Sequence, residues 1–509
     1  MVGPQDEIAP AGLCLRPDPG SRLLARGKML VGGSPVRVLR LTPPGARQVA
    51  AWWSGMPVSD NPKARALARR LLDTGIAHPR PGGSDWVSTF SPEDVTVVIP
   101  VRDRQAELAR CLAGLAQARR VIVVDDCSTD PAAIARVASS AGARVLRRAV
   151  NGGPGAARNT GLAAADTPLV AFLDSDCVPG PGWLDALLPH FADPAVGAVA
   201  PRIVPNEPGR TWLARYEGAS STLDMGARPS IVRPRSRVPY VPGAALVVRR
   251  AAAGAGFAET MRVGEDVDFV WRLAAAGWRV RYEPAATMRH QHRVRMRAWF
   301  ARRKDYGTSA AILELRHPGT VRPLYISAWT GLALLAAAAG RPDVGAACAG
   351  ASVALLARRL ARITGEEWPW PSAQNAWRLA GRLAGGGTLA AGRPLGSAIS
   401  RTWWPVALPM AVVARRLRLP LAALVLIPPL LDWLDRRPPL DPARYVAARL
   451  LDDVAYSLGV WEGCARHRTI RPLLPAVTGL HPGAGSPGQK GHLDSRVTWT
   501  GRGRTRQGR

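Results

Sequence analysis

Short apolar runs alternate with segments of helical periodicity between residues 95 and 176. The runs are Val95–Pro100, Val121–Val124, Ala143–Leu146 and Leu169–Leu173, and a helical segment through Leu108 follows the first of them. Runs that are apolar on both faces suit the central strands of a parallel sheet. Strands that alternate with helices form doubly wound α/β folds. The pattern therefore predicts a doubly wound parallel sheet in this part of the chain.

The fourth run ends in two carboxylates, Asp174 and Asp176, with Ser175 between them. Side chains alternate along a strand, so the two carboxylates can share one face and converge on a divalent cation. Parallel sheets place their ligands at the carboxyl ends of the strands, where these residues lie. The alternative is a solvated turn that contains two aspartates. Similar polar segments at the other strand ends favour the first interpretation.

Polar or glycine-rich residues follow the other three runs as well. Asp103 follows the first strand beyond Pro100, Asp125 and Asp126 follow the second, and the glycine-rich segment 151–159 with Arg158 follows the third. Asp103 and Asp125 can accept a hydrogen bond from a nucleobase ring N–H. The glycines allow a close approach to phosphate or ribose, and Arg158 offers a cation for a diphosphate. Helix capping is the alternative for each motif alone.

The motifs of two common nucleotide-binding folds are missing from the sequence. No G-x-G-x-x-G follows the first strand directly, and no G-x-x-x-x-G-K-[ST] occurs anywhere in the chain. These absences exclude the dinucleotide-binding and P-loop interpretations.

The segment before Val95 predicts a small N-terminal α+β domain, residues 1–92. Leu15–Leu24 and Met29–Leu41 alternate weakly as strands, whereas Gly45–Trp53 and Pro62–Gly75 have helical spacing, with Gly75 as a stop. Strands followed by helices suggest a winged-helix-like module. Nucleic-acid binding, peptide binding and a purely structural role remain open for it.

The segment after residue 316 predicts an α-helical hydrophobic region, residues 317–474. Its apolar runs are Leu324–Gly340, Val344–Ala357, Pro405–Val413 and Leu419–Leu431. Pro428 and Pro429 should break the last run. We expect helices that lie on the core or on the inner membrane face, with one or two membrane spans as the alternative. Residues 475–509 are rich in Gly and Arg and predict a disordered basic tail.

The composition indicates the net charge of the protein and the cellular compartment in which we expect it. The chain of 509 residues carries a formal charge of +30, and only four of its 68 basic residues are lysine. Such a surface favours anions, including nucleotides, nucleic acid and acidic lipids. The six cysteines are scattered, which argues against a zinc site or a disulfide framework, and the N-terminus has no signal-peptide pattern. We therefore expect a cytoplasmic protein.

Four motifs resemble family 2 glycosyltransferases of the GT-A fold. They are Val-Ile-Pro at 98–100, Val-Asp-Asp-x-Ser-Thr-Asp at 124–130, Gly-x-Ala-Arg-Asn at 155–159 and Leu-Asp-Ser-Asp at 173–176. The resemblance implies a metal-dependent, inverting enzyme over residues 93–316 that uses a nucleotide sugar and Mg²⁺ or Mn²⁺. It also implies roles for the strand-end residues. The donor nucleotide is bound by Pro100, Asp103, Asp125, Asp126, Arg158 and Asp174, and the metal by Asp176 and His290.

The same resemblance places the general base in the segment 264–272, where a helix begins with acidic residues. The family's Glu-Asp motif matches Glu265-Asp266, so Asp266 is implied to take the proton from the acceptor hydroxyl. Helix capping is the alternative for Glu265 and Asp268. Supporting or acceptor-binding residues are expected at Gly243, Glu265, Asp268, Arg272 and His292. We expect Arg272 to pair with Asp268, and His292 is the rival of His290 near the metal.

A closer resemblance is to the glycosyltransferases of the mycofactocin system. It rests on Ser221–Gly226, Tyr240–Arg250, Arg262–Pro284 and Arg316-His317-Pro318. It implies glucose transfer from UDP-glucose to a peptide-derived redox cofactor, and the N-terminal domain is similar to peptide-recognition domains of such pathways.

Two further hypotheses compete with this one. A polyprenyl-phosphate or cell-envelope glycosyltransferase would use the same donor motifs. A nucleic-acid-binding protein would suit the charge, but the basic residues are spread along the chain without interleaved aromatics, so we expect no nucleic-acid partner.

Overall fold

The computed structural model describes residues 8–24, 27, 29–80, 88–115, 117–206, 209, 211–291, 295–364 and 374–478. Most of the predicted basic tail and His292 lie outside these residues.

The N-terminal domain is α+β, as predicted. Its elements are β1 (Leu15–Pro17), β2 (Arg22–Leu24), β3 (Met29–Gly32), β4 (Arg37–Arg40), α1 (Pro43–Trp53), α2 (Pro62–Thr74) and β5 (Ala77–Pro79). Strands β2, β3 and β4 form an antiparallel sheet, while β1 pairs with β5. Helix α2 begins at the cap Asn61 and ends at Gly75, whose positive φ of 69° favours glycine. The winged-helix comparison stays a prediction.

A nine-stranded sheet forms the centre of the protein. Its strands are β6 (Val95–Val101), β7 (Arg120–Asp125), β8 (Arg144–Arg147), β9 (Leu169–Leu173), β10 (Cys177–Pro179), β11 (Val196–Pro205), β12 (Ser230–Val232), β13 (Ala245–Arg249) and β14 (Arg279–His290). The order is β10-β14-β11-β13-β9-β6-β7-β8, and β12 pairs with β14. Strands β6 to β9 are parallel to one another, as predicted, whereas β13 runs antiparallel to β9. The sheet is therefore mixed.

Helices cover both faces of this sheet. They are α3 (Gln105–Ala113), α4 (Pro131–Ser140), α5 (Gly153–Ala164), α6 (Trp183–Leu187), α7 (Trp212–Ser220), α8 (Glu265–Ala275) and α9 (Met296–Arg316). Along β6, Val97 and Ile99 belong to the core on one face and Val98 to the core on the other. A strand buried on both faces has the continuous apolar character seen in the sequence.

The C-terminal region is helical, as predicted. Its elements are β15 (Tyr325–Ser327), α10 (Ala328–Ala338), α11 (Pro342–Thr364), α12 (Gln374–Ala380), α13 (Gly386–Ala390), α14 (Gly392–Ala398), α15 (Trp404–Val413), α16 (Arg418–Arg436), α17 (Pro442–Arg466) and β16 (Ala476–Thr478). A π-helical turn, Ile399–Trp403, joins α14 to α15. The disordered tail was predicted to begin at residue 475, which is too early in the chain. Ala476–Thr478 form β16, which pairs in parallel with β15, and composition does not reveal such pairing.

The prediction that two prolines break the apolar run near residue 428 was wrong. Helix α16 continues through Pro428 and Pro429. Pro428 has no N–H to donate to the carbonyl of Leu424, four residues earlier. Gly396 of α14 packs directly on that carbonyl, where a Cβ atom would overlap its oxygen. The absence of a side chain at Gly396 therefore allows α14 to approach α16 closely at this carbonyl.

Glycines bring α9 and α17 into backbone contact. A Cβ atom at Gly307 would overlap the carbonyl oxygen of Tyr456, and one at Gly459 would overlap that of Lys304. Gly463 lies in the same way against Thr308. Small residues allow helix axes to approach more closely than side chains of ordinary size permit. This contact joins the C-terminal region to the last helix that packs on the central sheet, α9.

Two helices of the described residues are long and apolar enough to cross a membrane by length and composition, Pro342–Arg362 and Arg415–Arg436. The first is partly covered, because Ala357, Leu360 and Ala361 pack with Met29 and Val31 of the N-terminal sheet. The second is largely exposed.

Candidate functional site

A cavity of about 750 Å³ opens at the carboxyl ends of the parallel strands. Of the residues predicted from the sequence, its wall contains Pro100, Asp126, Arg158, Asp174, Asp176, Glu265, Asp266 and His290. Asp103, Asp125, Gly243, Asp268 and Arg272 are not part of the wall. The cavity thus brings together residues from the ends of four strands, β6, β7, β9 and β14, and from helices α5 and α8.

Asp125 is a buried carboxylate with one oxygen left without a hydrogen bond. Its Oδ1 accepts a hydrogen bond from the backbone N–H of Ser128 at 2.9 Å. Its Oδ2 has no hydrogen-bond partner among the described residues, and Arg147 Nε lies 4.0 Å from it. The residue is only 1% exposed. An unsatisfied buried acceptor is costly, so a ligand N–H would find a ready partner here.

Asp126 has a different environment from its neighbour. It accepts hydrogen bonds from the backbone N–H groups of Gly152 and Gly153 at 3.0 and 2.7 Å, and from Arg148 Nε at 2.9 Å. These contacts hold the glycine-rich segment against the end of β7. Asp126 also lines the cavity, and its binding of the donor nucleotide stays a prediction.

Asp103 lies on the exposed side of the strand ends, in a left-handed backbone conformation with a φ of 55°. Its carboxylate accepts hydrogen bonds from the hydroxyl and the N–H of Thr129, the latter at 2.7 Å. These hydrogen bonds from Thr129 lower the pKa of Asp103. The two residues tie the ends of β6 and β7 together.

Arg158 is buried between two carboxylates. Its Nη2 donates to Asp174 Oδ1 at 2.6 Å, and its Nη1 donates to Glu265 Oε1 at 2.9 Å. That Arg158 binds the donor diphosphate stays a prediction. Within the protein, these two acidic partners balance its charge. Spacing did not reveal this, because Glu265 lies far along the chain and meets Arg158 only through folding.

Asp176 and His290 form the candidate metal centre. Strands β10 and β14 pair so that Cys177 lies opposite His290. Asp176 Oδ1 is 3.5 Å from His290 Nε2, and the ligand atoms of Asp176, Cys177 and His290 lie within 4.8 Å of one another. Arg104 also donates to Asp176 Oδ2. Burial raises the pKa of Asp176, but the hydrogen bond and charge of His290 and the charge of Arg104 outweigh it and hold that pKa well below its usual value.

Glu265 and Asp266 form an acidic pair at the start of α8, and their surroundings differ. Asp266 Oδ2 accepts a hydrogen bond from the N–H of Gly243, and its Oδ1 from the N–H of Val267, both at 2.8 Å. A Cβ atom at Gly243 would lie 2.9 Å from Asp266 Cβ, so this approach requires glycine. Glu265 is buried beside Asp266. Burial, together with the charge of Asp266, raises the pKa of Glu265 to about 7.

Asp268 is fully buried and holds elements together. It accepts from Arg272 Nε at 2.8 Å, which confirms the predicted pair, and from Arg316 Nε at 2.6 Å. His317 Nε2 lies 2.9 Å from it. Burial raises the pKa of Asp268, but the hydrogen bonds from His317, Arg316 and Arg272 hold it well below its usual value.

Part of the cavity wall was missed by the sequence analysis. The cavity is also lined by Arg302 and Tyr306 of α9, Arg401 of the π-helical turn and Tyr456 of α17. No local motif marks these residues. Their position depends on the packing of α17 against α9, which only the glycines at 307, 459 and 463 hint at.

The chain is similar to several proteins of known description. It matches the family described as glycosyl transferase family 2 over residues 96–254. It is 42% identical over 478 residues to a pre-mycofactocin glycosyltransferase of Mycobacterium tuberculosis, covering 92% of this chain and 98% of the relative. It is 32% identical over 215 residues to the succinoglycan biosynthesis protein ExoU of Rhizobium meliloti, covering 38% and 60%.

Among solved structures, a mannosyltransferase from Pyrobaculum calidifontis in complex with GDP-mannose and Mn²⁺ is similar. The identity is 22%, the coverage is 59% of this chain and 90% of that chain, and the TM-score is 0.36.

Proposed function

Because the chain belongs to glycosyltransferase family 2, and within it to the pre-mycofactocin glycosyltransferases, we propose that it transfers glucose from UDP-glucose to a pre-mycofactocin acceptor. The observation that carries this proposal is the shared cavity. Its wall contains Asp174, Asp176 and His290 together with Asp266. A donor and an acceptor bound there would be enclosed together, as group transfer requires.

The donor side is supported by the carboxylates at the strand ends. Asp125 Oδ2 accepts no hydrogen bond from the described residues, so it could accept one from the ring N–H of uracil if the donor approaches the end of β7. Asp174 faces the cavity and would bind the ribose side of the donor. Arg158 then acts as a positioning residue, since it fixes Asp174 and Glu265 relative to each other.

Asp176 and His290 would hold Mg²⁺ or Mn²⁺ together with the donor diphosphate. A carboxylate and an imidazole with ligand atoms 3.5 Å apart fit a divalent cation, and carboxylate oxygen suits both metals. Such an ion, when bound, neutralises charge that develops on the leaving diphosphate. The lowered pKa of Asp176 keeps this ligand ionised at neutral pH.

Asp266 would act as the general base of an inverting transfer. Two backbone N–H groups, those of Gly243 and Val267, fix its carboxylate at the cavity wall. In that position it would take the proton of the acceptor hydroxyl as the oxygen attacks the anomeric carbon. The buried neighbour Glu265, with its raised pKa, would be partly neutral near pH 7 and so leave Asp266 the main negative charge there.

We also propose that the protein is cytoplasmic and contacts an anionic membrane peripherally through the α15–α16 hairpin. Val412, Val413 and Leu419 at its tip are 65%, 86% and 83% exposed. Arg415 and Arg416 lie between them in the chain, and this mixture suits the interface of a membrane with anionic lipids. A lipid-linked acceptor such as polyprenyl phosphate is the second candidate, and the same exposed hairpin favours it.

Transfer assays with a panel of donors and acceptors test the proposal. Purified protein is incubated with UDP-glucose, UDP-galactose, GDP-mannose or dTDP-glucose, each with a pre-mycofactocin or a polyprenyl phosphate acceptor. We expect transfer from UDP-glucose to pre-mycofactocin, abolished by EDTA and restored by Mn²⁺. Asp176→Asn should lose the Mn²⁺-dependent part of UDP-glucose binding. Full activity in EDTA would contradict the metal centre, and transfer to polyprenyl phosphate alone would favour the second candidate.

A further inference from the structure

Several arginines line the main cavity, and most of them have a carboxylate partner. Arg104, for example, pairs with Asp176. Arg302 differs, because no carboxylate of the described residues forms an ion pair with its guanidinium, although the residue lines the cavity. Arg262 also lacks such a partner among these residues, but it is exposed on the loop before α8. Arg302 is half-buried and is therefore the more enclosed of the two unpaired cations.

A neighbouring ring holds the Arg302 side chain in place. Tyr306 lies one turn further along α9, and the Arg302 guanidinium lies over its ring, 4.8 Å from the centroid. A guanidinium that stacks on an aromatic face can still donate hydrogen bonds in its own plane. The contact with Tyr306 therefore orients Arg302 without using all of its donors.

Arg302 lies within electrostatic reach of the strand ends. Burial lowers the pKa of its guanidinium, but Tyr306 and the charge of Asp174 outweigh this effect and raise that pKa. Asp174 follows the end of β9, where the donor is expected to bind. A charged guanidinium without an ion-pair partner, at the wall of a cavity, favours an anionic ligand.

The C-terminal region supports the turn of α9 that carries Arg302. The next residue, Arg303, is buried and pairs with Asp452 of α17 at 3.3 Å. One turn further on, Gly307 packs directly on the carbonyl oxygen of Tyr456. Both contacts lie outside the matched family segment 96–254, so the position of Arg302 depends on parts of the chain that the family match does not include.

We propose that Arg302 binds the terminal phosphate of the donor diphosphate and stabilises the charge that this phosphate gains on leaving. The inference rests on the proposed function. In the transfer, the acceptor oxygen bonds to the anomeric carbon, and the bond from that carbon to the phosphate oxygen breaks. Its electron pair stays on the phosphate oxygen, while Asp266 takes the acceptor proton. The N–H fork of a guanidinium matches two phosphate oxygens, so Arg302 would hold this charge in a fixed geometry.

Titrations with UDP and with UMP, each in the presence of Mn²⁺, test this contact. Wild-type protein should bind UDP more tightly than UMP, which lacks the terminal phosphate. Arg302→Gln removes the charge and should weaken UDP binding by about 10- to 100-fold, with UMP binding nearly unchanged. The matched control, Arg297→Gln, removes the same charge from an exposed position on α9 and should bind both nucleotides as wild type does.

The other outcomes separate this inference from the proposed function. Unchanged UDP binding by Arg302→Gln overturns the role of Arg302 and leaves the proposed function standing. Equal weakening of UMP and UDP binding also overturns that role, because the effect would then not depend on the terminal phosphate. Wild-type protein that binds no UDP overturns the proposed function and this inference with it.

A second variant decides the matter if Arg302→Gln does not fold. Arg302→Lys keeps the charge but loses the planar fork, so it should weaken UDP binding by about fivefold and leave UMP binding unchanged. In the transfer assay it should lower kcat with little change in the acceptor KM. A raised acceptor KM with unchanged UDP binding would show that Arg302 contacts the acceptor instead, and would overturn the inference.

Discussion

Arg158 donates a hydrogen bond to Asp174 at 2.6 Å, so one buried guanidinium couples the end of β9 to the start of α8. The second half of this coupling is its bond to Glu265. Since Asp266 is the next residue, the distance between the donor side and the proposed base depends on Arg158. Each of the two carboxylates would be left without its cation if Arg158 were removed.

Arg158→Met should therefore destabilise the fold strongly. Breaking a buried ion pair costs about 3–5 kcal/mol, because the remaining charges are buried without compensation. Urea unfolding measures the change. The control is Arg120→Met, which removes an exposed pair with Asp166 and should cost about 1 kcal/mol or less. Similar losses of unfolding free energy in both variants would show that the buried ion pairs stabilise the fold no more than the exposed one.

Asp266→Asn and Asp268→Asn should separate catalysis from stability. Asp266→Asn keeps the hydrogen-bond acceptor for Gly243 but loses basicity, so kcat should fall by about 10²–10⁴ with donor affinity unchanged. Asp268→Asn weakens the contacts to Arg272, Arg316 and His317 and should lower the unfolding free energy by on the order of 2 kcal/mol. Donor affinity, turnover and melting temperature are compared for both. Normal turnover by Asp266→Asn would show that the base lies elsewhere.

The raised pKa of Glu265 predicts a dependence of stability on pH. The folded protein keeps the Glu265 proton up to a pKa of about 7, whereas the unfolded chain loses it near the ordinary value of 4.5. The folded state then binds more protons between these values, so its stability falls as pH rises through this window. Glu265→Gln removes the effect. The unfolding free energy of wild type minus that of Glu265→Gln should decrease by on the order of 2 kcal/mol from about pH 4.5 to 7. A difference that rises with pH would contradict this assignment.

Gly459→Ala should separate α17 from α9, because its Cβ atom would overlap the Lys304 carbonyl oxygen. We expect a loss of about 1–3 kcal/mol of stability, as for other overpacked contacts. Gly350→Ala is the matched control within α11, where an added Cβ meets no atom within 4 Å. That change should be neutral or stabilise by up to about 1 kcal/mol. Chemical unfolding measures both variants, and equal effects would argue against the close helix contact.

The α15–α16 hairpin should bind vesicles that contain anionic lipid, with binding that decreases as salt rises. Arg415→Gln combined with Arg416→Gln should weaken binding by about 2 kcal/mol, or about 30-fold. The control pair, Arg136→Gln with Arg144→Gln, removes the same charge from an exposed part of the catalytic domain. Sedimentation with anionic and neutral vesicles measures the affinity. Equal binding to neutral vesicles would contradict the electrostatic contribution.

The clustering of carboxylates at the strand ends was predictable because its signals are local. Asp125, Asp174 and Asp176 each follow an apolar strand directly, so chain connectivity alone brings them to one edge of the sheet. The parallel arrangement of β6 to β9 followed from the same alternation. The antiparallel insertion of β13 did not, because it depends on a connection that crosses between distant segments.

The remaining features depend on contacts between distant segments. The positive charge of Arg158 is balanced in part by Glu265, which is distant in the sequence. Tyr456 can line the main cavity beside Arg401 only because α17 packs on α9. The close approach of α14 to α16 at the carbonyl of Leu424 requires the glycine at position 396. In each case the deciding partner is far away in sequence, and periodicity or motif spacing carries no information about it.

The position of α17 late in the chain has a consequence during translation. The ribosome makes the strands that carry Asp174, Asp176 and His290 well before it makes Tyr456, and earlier segments generally fold first. A nascent polypeptide therefore completes the strand ends before it makes the last part of the cavity wall. Until α17 has left the exit tunnel it cannot dock on α9, so the growing chain still lacks the wall residues Asp452 and Tyr456.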